Sequence, residues 1–318
     1  MFKTRWVGSA MLVGLATVGC SAGTAGLAKS GENSTDDAVA YTAGVSESDT
    51  AVHIVTLDGD NIATVKPALF ATFSRDGSRM AYFHPDLRRV VIANSDGNDM
   101  RPVGGEVPKG AGVMAAFSPK ADLVAYSTAA AGACAVNVVG VDGTGDRTIV
   151  EPWECHDGAR PSFTADGRHI AFSREVATDQ SPGFGTYLVD LDTLAVSELP
   201  LPLSYEPTQP SFSSDGSRLT YQVANEDGTS AVYIADGGGN NPTKVVDTDD
   251  DDFLAPTLSA DGSRIVYSDD VSQAGDHNMA IFVIDADGSN RRQITHPSAG
   301  SDGPGDIFPV WTTTSHTS

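Results

Sequence analysis

A twelve-residue phrase recurs along the chain and constrains its fold more than any other feature. The clearest copy, residues 210–221, places two short apolar runs on either side of an Asp-Gly pair. Asp-Gly supplies the positive φ of a tight hairpin turn, so each copy predicts an antiparallel β-hairpin. Other copies occupy residues 71–82, 161–172 and 256–267, a weaker one at 115–126 has Lys120-Ala121 in place of Asp-Gly, and a truncated one ends at 309–312.

One position in each copy, aromatic in all but one, gives the period of the repeat. It is held by Phe73, Phe117, Phe163, Phe212, Leu258 and Trp311. A period of 40 to 50 residues is typical of β-propellers, in which each blade is a four-stranded meander. The third strand is a continuous apolar run in each unit, as a sheet packed between two neighbours requires. A second turn, such as Asp96-Gly97, leads to the fourth strand.

The two ends of the repeat region complement each other. Residues 39–66 fit a second, third and fourth strand with no first strand before them, and residues 308–313 fit a first strand alone. Joining them in one sheet gives six blades and removes the exposed edges of an open array. The sequence therefore predicts an all-β, six-bladed propeller closed by the C-terminal strand, which joins the N-terminal blade.

The phrases Phe-Ser-x-Asp-Gly-Ser-Arg-Ile-x-Tyr and Ile-Asp-Ala-Asp-Gly-Ser-Asn-Arg-Arg-Gln-Ile-Thr (284–295) resemble the repeat of TolB-type propellers over about residues 39–313. The resemblance implies the propeller fold, which hosts many functions. Members of this kind include Tol–Pal envelope proteins, which carry an α/β domain before the propeller, and lyases that use His and carboxylates on a metal. Here we expect a short spacer before the first strand.

The N-terminal residues have the pattern of an export signal. Lys3 and Arg5 precede an apolar run, residues 6–18, that is too short to span a bilayer comfortably. The run ends in Ala-Thr-Val-Gly-Cys20, which resembles a bacterial lipoprotein lipobox; cleavage after Ala22 or Ala25 is the alternative. We expect a signal peptide at 1–19, a lipid-anchored flexible spacer at 20–37 and the propeller at 38–318, held at a membrane and facing the periplasm or exterior.

Charge and cysteine content narrow the function classes. The net charge of −22 disfavours binding to nucleic acid, and it favours solubility. Cys134 and Cys155 are the only cysteines besides Cys20. An exported chain enters an oxidising compartment, where the two could pair in a disulfide; two free thiols are the alternative. We expect a monomer that contacts the membrane through its lipid anchor alone.

Catalytic motifs are missing from the sequence. It contains no Gly-x-Ser-x-Gly, His-Glu-x-x-His, Cys-x-x-Cys or P-loop pattern. The acidic run 247–252 lacks the Gly and Glu of an EF-hand and is interpreted as a solvated loop. A row of small hydroxyl residues follows the marker and is interpreted as packing near the axis, with a polar channel as the alternative: Ser74, Ser118, Thr164, Ser213, Ser259 and Thr312. We expect no catalytic residue, metal or cofactor.

The connections between strands differ on the two faces of the predicted propeller. First-to-second and third-to-fourth connections are mostly short turns, whereas the others, such as 174–185 and 201–209, are long and irregular. Variable loops on a rigid scaffold usually carry binding residues. This face would present Trp153, His156, Tyr205 and Phe253. The sequence thus favours non-catalytic binding of an envelope protein or a cell-wall glycan; the alternatives are a polysaccharide lyase or hydrolase acting in the central funnel, and a Tol–Pal component.

Overall fold

The computed structural model describes residues 36–44, 50–155, 159–177, 182–201, 206–225, 228–248, 254–272, 278–297 and 305–314. Every regular element in these ranges is a β-strand, which confirms the all-β prediction. None of the described residues form a helix that is long and apolar enough to cross a membrane.

Six four-stranded antiparallel sheets form the blades, and each blade is written here from its first strand, a, to its fourth, d. Blade 1 contains β24 Ile307–Thr314, β1 Asp36–Ala43, β2 Ala51–Thr56 and β3 Asn61–Val65. Blade 2 contains β4 Leu69–Phe73, β5 Arg79–His84, β6 Arg89–Asn94 and β7 Arg101–Val103. Blade 3 contains β8 Gly112–Phe117, β9 Leu123–Ala130, β10 Ala133–Gly140 and β11 Arg147–Glu154.

The second half of the chain repeats this arrangement. Blade 4 contains β12 Ser162–Phe163, β13 His169–Ala177, β14 Pro182–Asp190 and β15 Val196–Glu198. Blade 5 contains β16 Glu206–Phe212, β17 Arg218–Ala224, β18 Ser230–Asp236 and β19 Thr243–Asp247. Blade 6 contains β20 Thr257–Leu258, β21 Arg264–Asp270, β22 Met279–Asp285 and β23 Arg292–Gln293.

Blade 1 is closed by the two ends of the repeat region, as predicted. Strand β24 pairs antiparallel with β1, and Trp311 lies opposite Val39. The indole N–H of Trp311 donates a hydrogen bond of 2.9 Å to the carbonyl of Thr257 in blade 6. The closing strand therefore completes its own four-stranded sheet and also contacts the neighbouring blade.

The a strands surround the axis of the propeller. Strands β24, β4, β8, β12, β16 and β20 contact one another in a closed ring. Farther from the axis, the space between sheets is filled by apolar side chains of strands b and c. Fully buried examples are Phe172, Tyr221, Tyr267 and Ile281, each at most 1% exposed. Continuous apolar runs in the sequence thus correspond to strands covered on both faces.

The connections between strands define two faces of the propeller. The turn face carries the a–b and c–d connections, and the long-loop face carries the b–c and d–a connections. The prediction of a long loop at residues 174–185, on the long-loop face, was wrong. Strand β13 continues to Ala177 and β14 begins at Pro182, and the two pair along their full length. Arg174 and Glu175 are polar but compatible with extended backbone, so their polarity concealed a long hairpin.

Candidate functional site

Five of the six hydroxyl residues after the marker bind the a–b turns, a role that neither packing near the axis nor a polar channel had predicted. In blade 5, the Ser213 hydroxyl donates to the carboxylate of Asp215 at 2.7 Å and accepts the backbone N–H of Arg218 at 3.0 Å. Ser74, Thr164 and Ser259 make the same pair of contacts in blades 2, 4 and 6. The repeated hydroxyl is therefore a turn-stabilising group.

Blade 3 makes the same turn with different residues. Ala121 occupies the glycine position with φ of 54°, and the Ser118 hydroxyl donates to Asp122 at 2.7 Å. The carboxylate has moved two positions along the chain but meets the same hydroxyl. The weak copy of the phrase is therefore a full structural copy.

These turns hold their carboxylates in the ionised form. Hydrogen bonds from the backbone N–H of Ser217 and from nearby hydroxyls lower the pKa of Asp215 to about 2. Similar bonds lower the pKa of Asp76, Asp166 and Asp261. The a–b turns thus share one pattern of hydroxyl–carboxylate hydrogen bonds from blade to blade.

The long-loop face is different, because its inner rim has strained backbone. The residue three positions before the marker has a positive φ in four blades, at Phe70, Gln209, Ala255 and Phe308, with values of 50–59°. Side chains other than glycine adopt this conformation at a cost of about 1–3 kcal/mol. Such strain persists where the surroundings enforce it, and it concentrates at binding sites.

Neighbouring blades enforce the strained conformation through hydrogen bonds. The backbone N–H of Phe70 donates to the hydroxyl of Thr42 at 3.0 Å, and that of Gln209 donates to Ser173 at 3.1 Å. In each case the acceptor lies on strand b of the preceding blade. The rim is therefore fixed by contacts between blades.

Side chains from this rim cross the axis. The rings of Phe70 and Phe308 meet edge to face with centroids 4.7 Å apart. Arg160 of blade 4 places its guanidinium carbon 4.3 Å from the centre of the Phe308 ring, and its Nε lies 3.1 Å from the sulfur of Met114. Blades 4 and 1 are opposite one another in the ring, so this contact spans the centre. We call Phe70, Met114, Arg160 and Phe308 the funnel floor.

The electrostatics of the funnel floor depend on Arg160. Burial lowers its pKa to about 9, which leaves the guanidinium protonated at neutral pH. Gln209, 5% exposed on the same rim, has a side-chain oxygen with no hydrogen-bond partner among the described residues. The funnel floor therefore brings a guanidinium group and two aromatic rings together at the axis.

A second group on the long-loop face was missed by sequence reasoning. Tyr41 stacks on His53 with centroids 5.4 Å apart, and burial together with the nearby charge of Asp306 raises the pKa of Tyr41. Asp306 is 9% exposed, and burial raises its pKa as well. The β1–β2 hairpin pairs Tyr41 with His53, and closure of blade 1 by β24 brings Asp306 to them from the other end of the chain.

The cysteines named from the sequence lie in blade 3. Cys134 on β10 and Cys155, just after β11, form a disulfide with Cα atoms 5.7 Å apart. It fixes the start of the connection that ends at Arg160. Trp153 is 8% exposed in a core cluster with Phe172, and its indole N–H has no partner among the described residues. Arg174 covers its ring at 5.8 Å. Trp153 thus supports the face from below rather than forming its surface.

The other named positions, Cys20, His156, Tyr205 and Phe253, lie outside the described residues. Most of the acidic run 247–252 does as well; its first residue, Asp247, forms an ion pair of 2.6 Å with Lys244. In the described ranges, no group of His, Cys, Asp and Glu is arranged to hold a metal ion.

The structure is thus a six-bladed propeller in which one face carries turns of repeated geometry and the other face carries irregular connections. The pattern of the TolB beta propeller domain matches residues 87–309, which is more than half of the chain. The chain therefore belongs to the TolB β-propeller family.

Individual relatives agree with this assignment. The Tol-Pal system protein TolB of Gluconobacter oxydans (strain 621H) is 31% identical over 98 residues, which are 30% of this chain and 21% of that protein. The match thus spans about a fifth of that relative's length.

Solved structures show the same fold. TolB from Acinetobacter baumannii superposes with a TM-score of 0.69 at 17% identity, covering 86% of this chain and 66% of that one. A chain of a nidogen/laminin complex gives 0.62 at 10% identity, covering 87% and 98%. Oligogalacturonate lyase in complex with manganese gives 0.54 at 14% identity, covering 79% and 72%. At these identities the likeness concerns the fold alone.

Proposed function

We propose that this chain is a non-catalytic module of the bacterial envelope that binds a protein partner through its long-loop face. The observation that carries the proposal is the funnel floor. Arg160 lies over the Phe308 ring of the opposite blade, so a guanidinium group and an aromatic ring meet at the axis of the long-loop face. Aromatic and arginine side chains are the residue types that dominate protein-binding energy.

The proposal includes export and anchoring. A signal peptide at residues 1–19 and acylation of Cys20 would place a monomeric propeller at the membrane, facing the periplasm or exterior. The disulfide between Cys134 and Cys155 suits such an oxidising compartment. Labelling with a radioactive fatty acid tests the anchor, because Cys20→Ala should abolish incorporation while the protein remains exported.

The binding face is tested by photocrosslinking in cells. A photoreactive residue replacing Lys109, which is exposed in the d–a connection of blade 2, should give discrete protein adducts. The same residue at Lys120, exposed on the turn face, is the matched control and should give none. Adducts that resist protease but disappear with a glycan hydrolase would contradict a protein partner. Equal adducts at both positions would contradict the choice of face.

Affinity then identifies the residues involved. Once the crosslinked partner is identified, the purified partner should bind the wild-type chain saturably. Tyr205→Ala and Phe253→Ala, at the aromatic positions that the sequence assigns to this face, should each weaken binding by about tenfold or more. Leu194→Ser, at a 43% exposed side chain on the outer edge of blade 4, should leave the affinity unchanged.

A second candidate is a Tol–Pal component, favoured by the 31% identity to the Gluconobacter protein. It predicts direct binding to a peptidoglycan-associated lipoprotein. Calorimetry with the two purified proteins is decisive, because saturable binding that is lost in Tyr205→Ala would support this role. No heat of binding at concentrations well above micromolar would exclude it without affecting the broader proposal.

A further inference from the structure

Both ends of the propeller leave from the turn face. In five blades, strands a and b are joined there by a hairpin turn, and in blade 1 the turn is replaced by the end of β24 and the beginning of β1. Asp36 pairs with Thr314, and Asp37 with Thr313. A Cβ atom at Gly77, in the a–b turn of blade 2, would overlap Thr313. The chain ends therefore take the place of one turn in the ring of turns.

The starting point of β1 is fixed. The carboxylate of Asp37 forms an ion pair with Arg264, which follows the a–b turn of blade 6. The guanidinium of Arg264 also lies 5.0 Å from the centre of the Trp311 ring. A chain that enters the domain at Asp36 thus arrives at the turn face, close to the axis.

The sequence before Asp36 limits how far the domain can move from an anchor. Fifteen residues lie between Cys20 and Asp36, and they are rich in Gly, Ala, Ser and Thr. A flexible chain of that length has a root-mean-square span of about 22 Å. Strands of six to nine residues separate the two faces of the propeller by ~20–30 Å. The average tether is thus no longer than the domain is thick.

We infer that the anchored protein holds its turn face toward the membrane and presents its long-loop face to the aqueous side. This rests on the proposed acylation of Cys20, and it adds a geometry to the proposed binding face. This orientation suits a partner protein that reaches the propeller from the side away from the membrane, such as a soluble or wall-attached protein. It does not suit a neighbour embedded in the same membrane leaflet.

Energy transfer to the membrane tests the orientation without any partner. The acylated full-length protein, with its disulfide intact, is placed in phosphatidylglycerol–phosphatidylethanolamine vesicles that contain a headgroup acceptor dye. A donor dye is attached through Lys120→Cys on the turn face or through Lys109→Cys on the long-loop face. Both lysines are exposed, and β8 lies between them. Because β8 is ~20 Å long, we expect about twofold greater transfer from position 120 than from 109.

Two further samples make the result decisive. Cys20→Ala should give no transfer from either position. A circular permutant that carries residues 1–35 before Gly132, in the b–c connection of blade 3, should reverse the order of the two signals. Equal transfer from positions 120 and 109, or greater transfer from 109, overturns the inference, as does a chain that is never acylated. The binding face itself is judged by the crosslinking experiment, so the two proposals fail separately.

Discussion

Blade 1 differs from the other five blades in one covalent connection, and the difference shows what the recurring turn contributes. In blades 2 to 6 the hydroxyl after the marker binds a turn carboxylate. In blade 1 the equivalent Thr312 is 7% exposed, and its hydroxyl has no hydrogen-bond partner among the described residues. The turn that would satisfy it is replaced by chain ends. Blade 1 keeps the strand pairing and the core, but it lacks the local bonds that set its inner hairpin.

Removing the closing strand should have the largest effect. A chain that ends at Asp306 lacks β24, so β1 becomes an unpaired edge and the ring opens. We expect a loss of more than 5 kcal/mol, comparable to the whole stability of many domains, together with association through the free edge. Urea unfolding and gel filtration measure both effects, with a chain ending at Thr314 as control. An unchanged unfolding midpoint would show that β24 is not needed to stabilise the closed ring.

Blade 3 offers a covalent counterpart to the noncovalent closure of blade 1. Replacing both cysteines of the Cys134–Cys155 disulfide by Ala should cost ~3 kcal/mol, because the cross-link spans 21 positions and restricts the unfolded chain. Thermal unfolding of the oxidised wild type, the reduced wild type and the double variant measures this cost. Equal stability of oxidised and reduced wild type would contradict it.

A matched pair of substitutions isolates the hydroxyl. Thr164→Val removes a hydroxyl bonded to Asp166 at 2.6 Å, and it should cost ~1–2 kcal/mol. Thr312→Val removes a hydroxyl that has no such bond, and it should be neutral or stabilise by up to ~1 kcal/mol. Urea unfolding compares the two. Equal costs would mean that turn bonding is irrelevant at this position.

A permuted chain sharpens this comparison. If Thr313 is joined to Ala38 by Asp-Gly-Ser and new ends are opened in the turn of blade 5, blade 1 acquires the standard turn. In that chain Thr312→Val should become as costly as Thr164→Val. If it stays neutral, the missing partner at Thr312 has another cause.

Acid should change the stability contributions of two carboxylates, Asp215 in blade 5 and Asp306 in blade 1, in opposite directions. The pKa of Asp215 is lowered to about 2, so its contribution to stability is present above the pKa of the unfolded chain, near 3.8, and is lost as pH falls toward 2. The pKa of Asp306 is raised by burial, so its charged form opposes folding and stability falls as pH rises through that pKa.

The corresponding amide variants measure these signs. Asp215→Asn should be less stable than wild type at pH 7, and the difference should shrink between pH 4 and pH 2. Asp306→Asn should be at least as stable as wild type at pH 7, with the advantage disappearing in acid. Urea midpoints across this range follow both variants, and parallel curves for the two would refute the assignment.

The smallest effect concerns the turn of blade 3. Ala121→Gly should stabilise the protein by roughly 0.5–1 kcal/mol, because glycine adopts the positive φ of 54° without steric cost. Gly216→Ala in blade 5 is the reverse change, and it should destabilise by at least as much, since a Cβ there would lie 3.0 Å from Ala165. A loss of stability in Ala121→Gly would contradict the common turn geometry.

The sequence predicted the architecture well because the fold repeats a local pattern. Each Asp-Gly pair specifies its own hairpin, and the truncated copy that holds Trp311 was enough to predict that the C-terminal strand joins the N-terminal blade. The funnel floor was not predictable in this way. Arg160 and Phe308 meet because blades 4 and 1 face each other, and the positive φ at Phe70 and Gln209 comes from hydrogen bonds between blades. Contacts of this kind leave no local signal.

The entry of the chain at Asp36 has a mechanical consequence. If the chain is anchored through Cys20 as proposed, a pull on it acts along β1, parallel to the strand, and β1 is bonded on one side to β24 and on the other to β2. Tension is then shared by two rows of hydrogen bonds that must slip together, whereas a pull across the sheet would open them one at a time. The blade that lacks a covalent turn is thus loaded in the direction in which it resists force best.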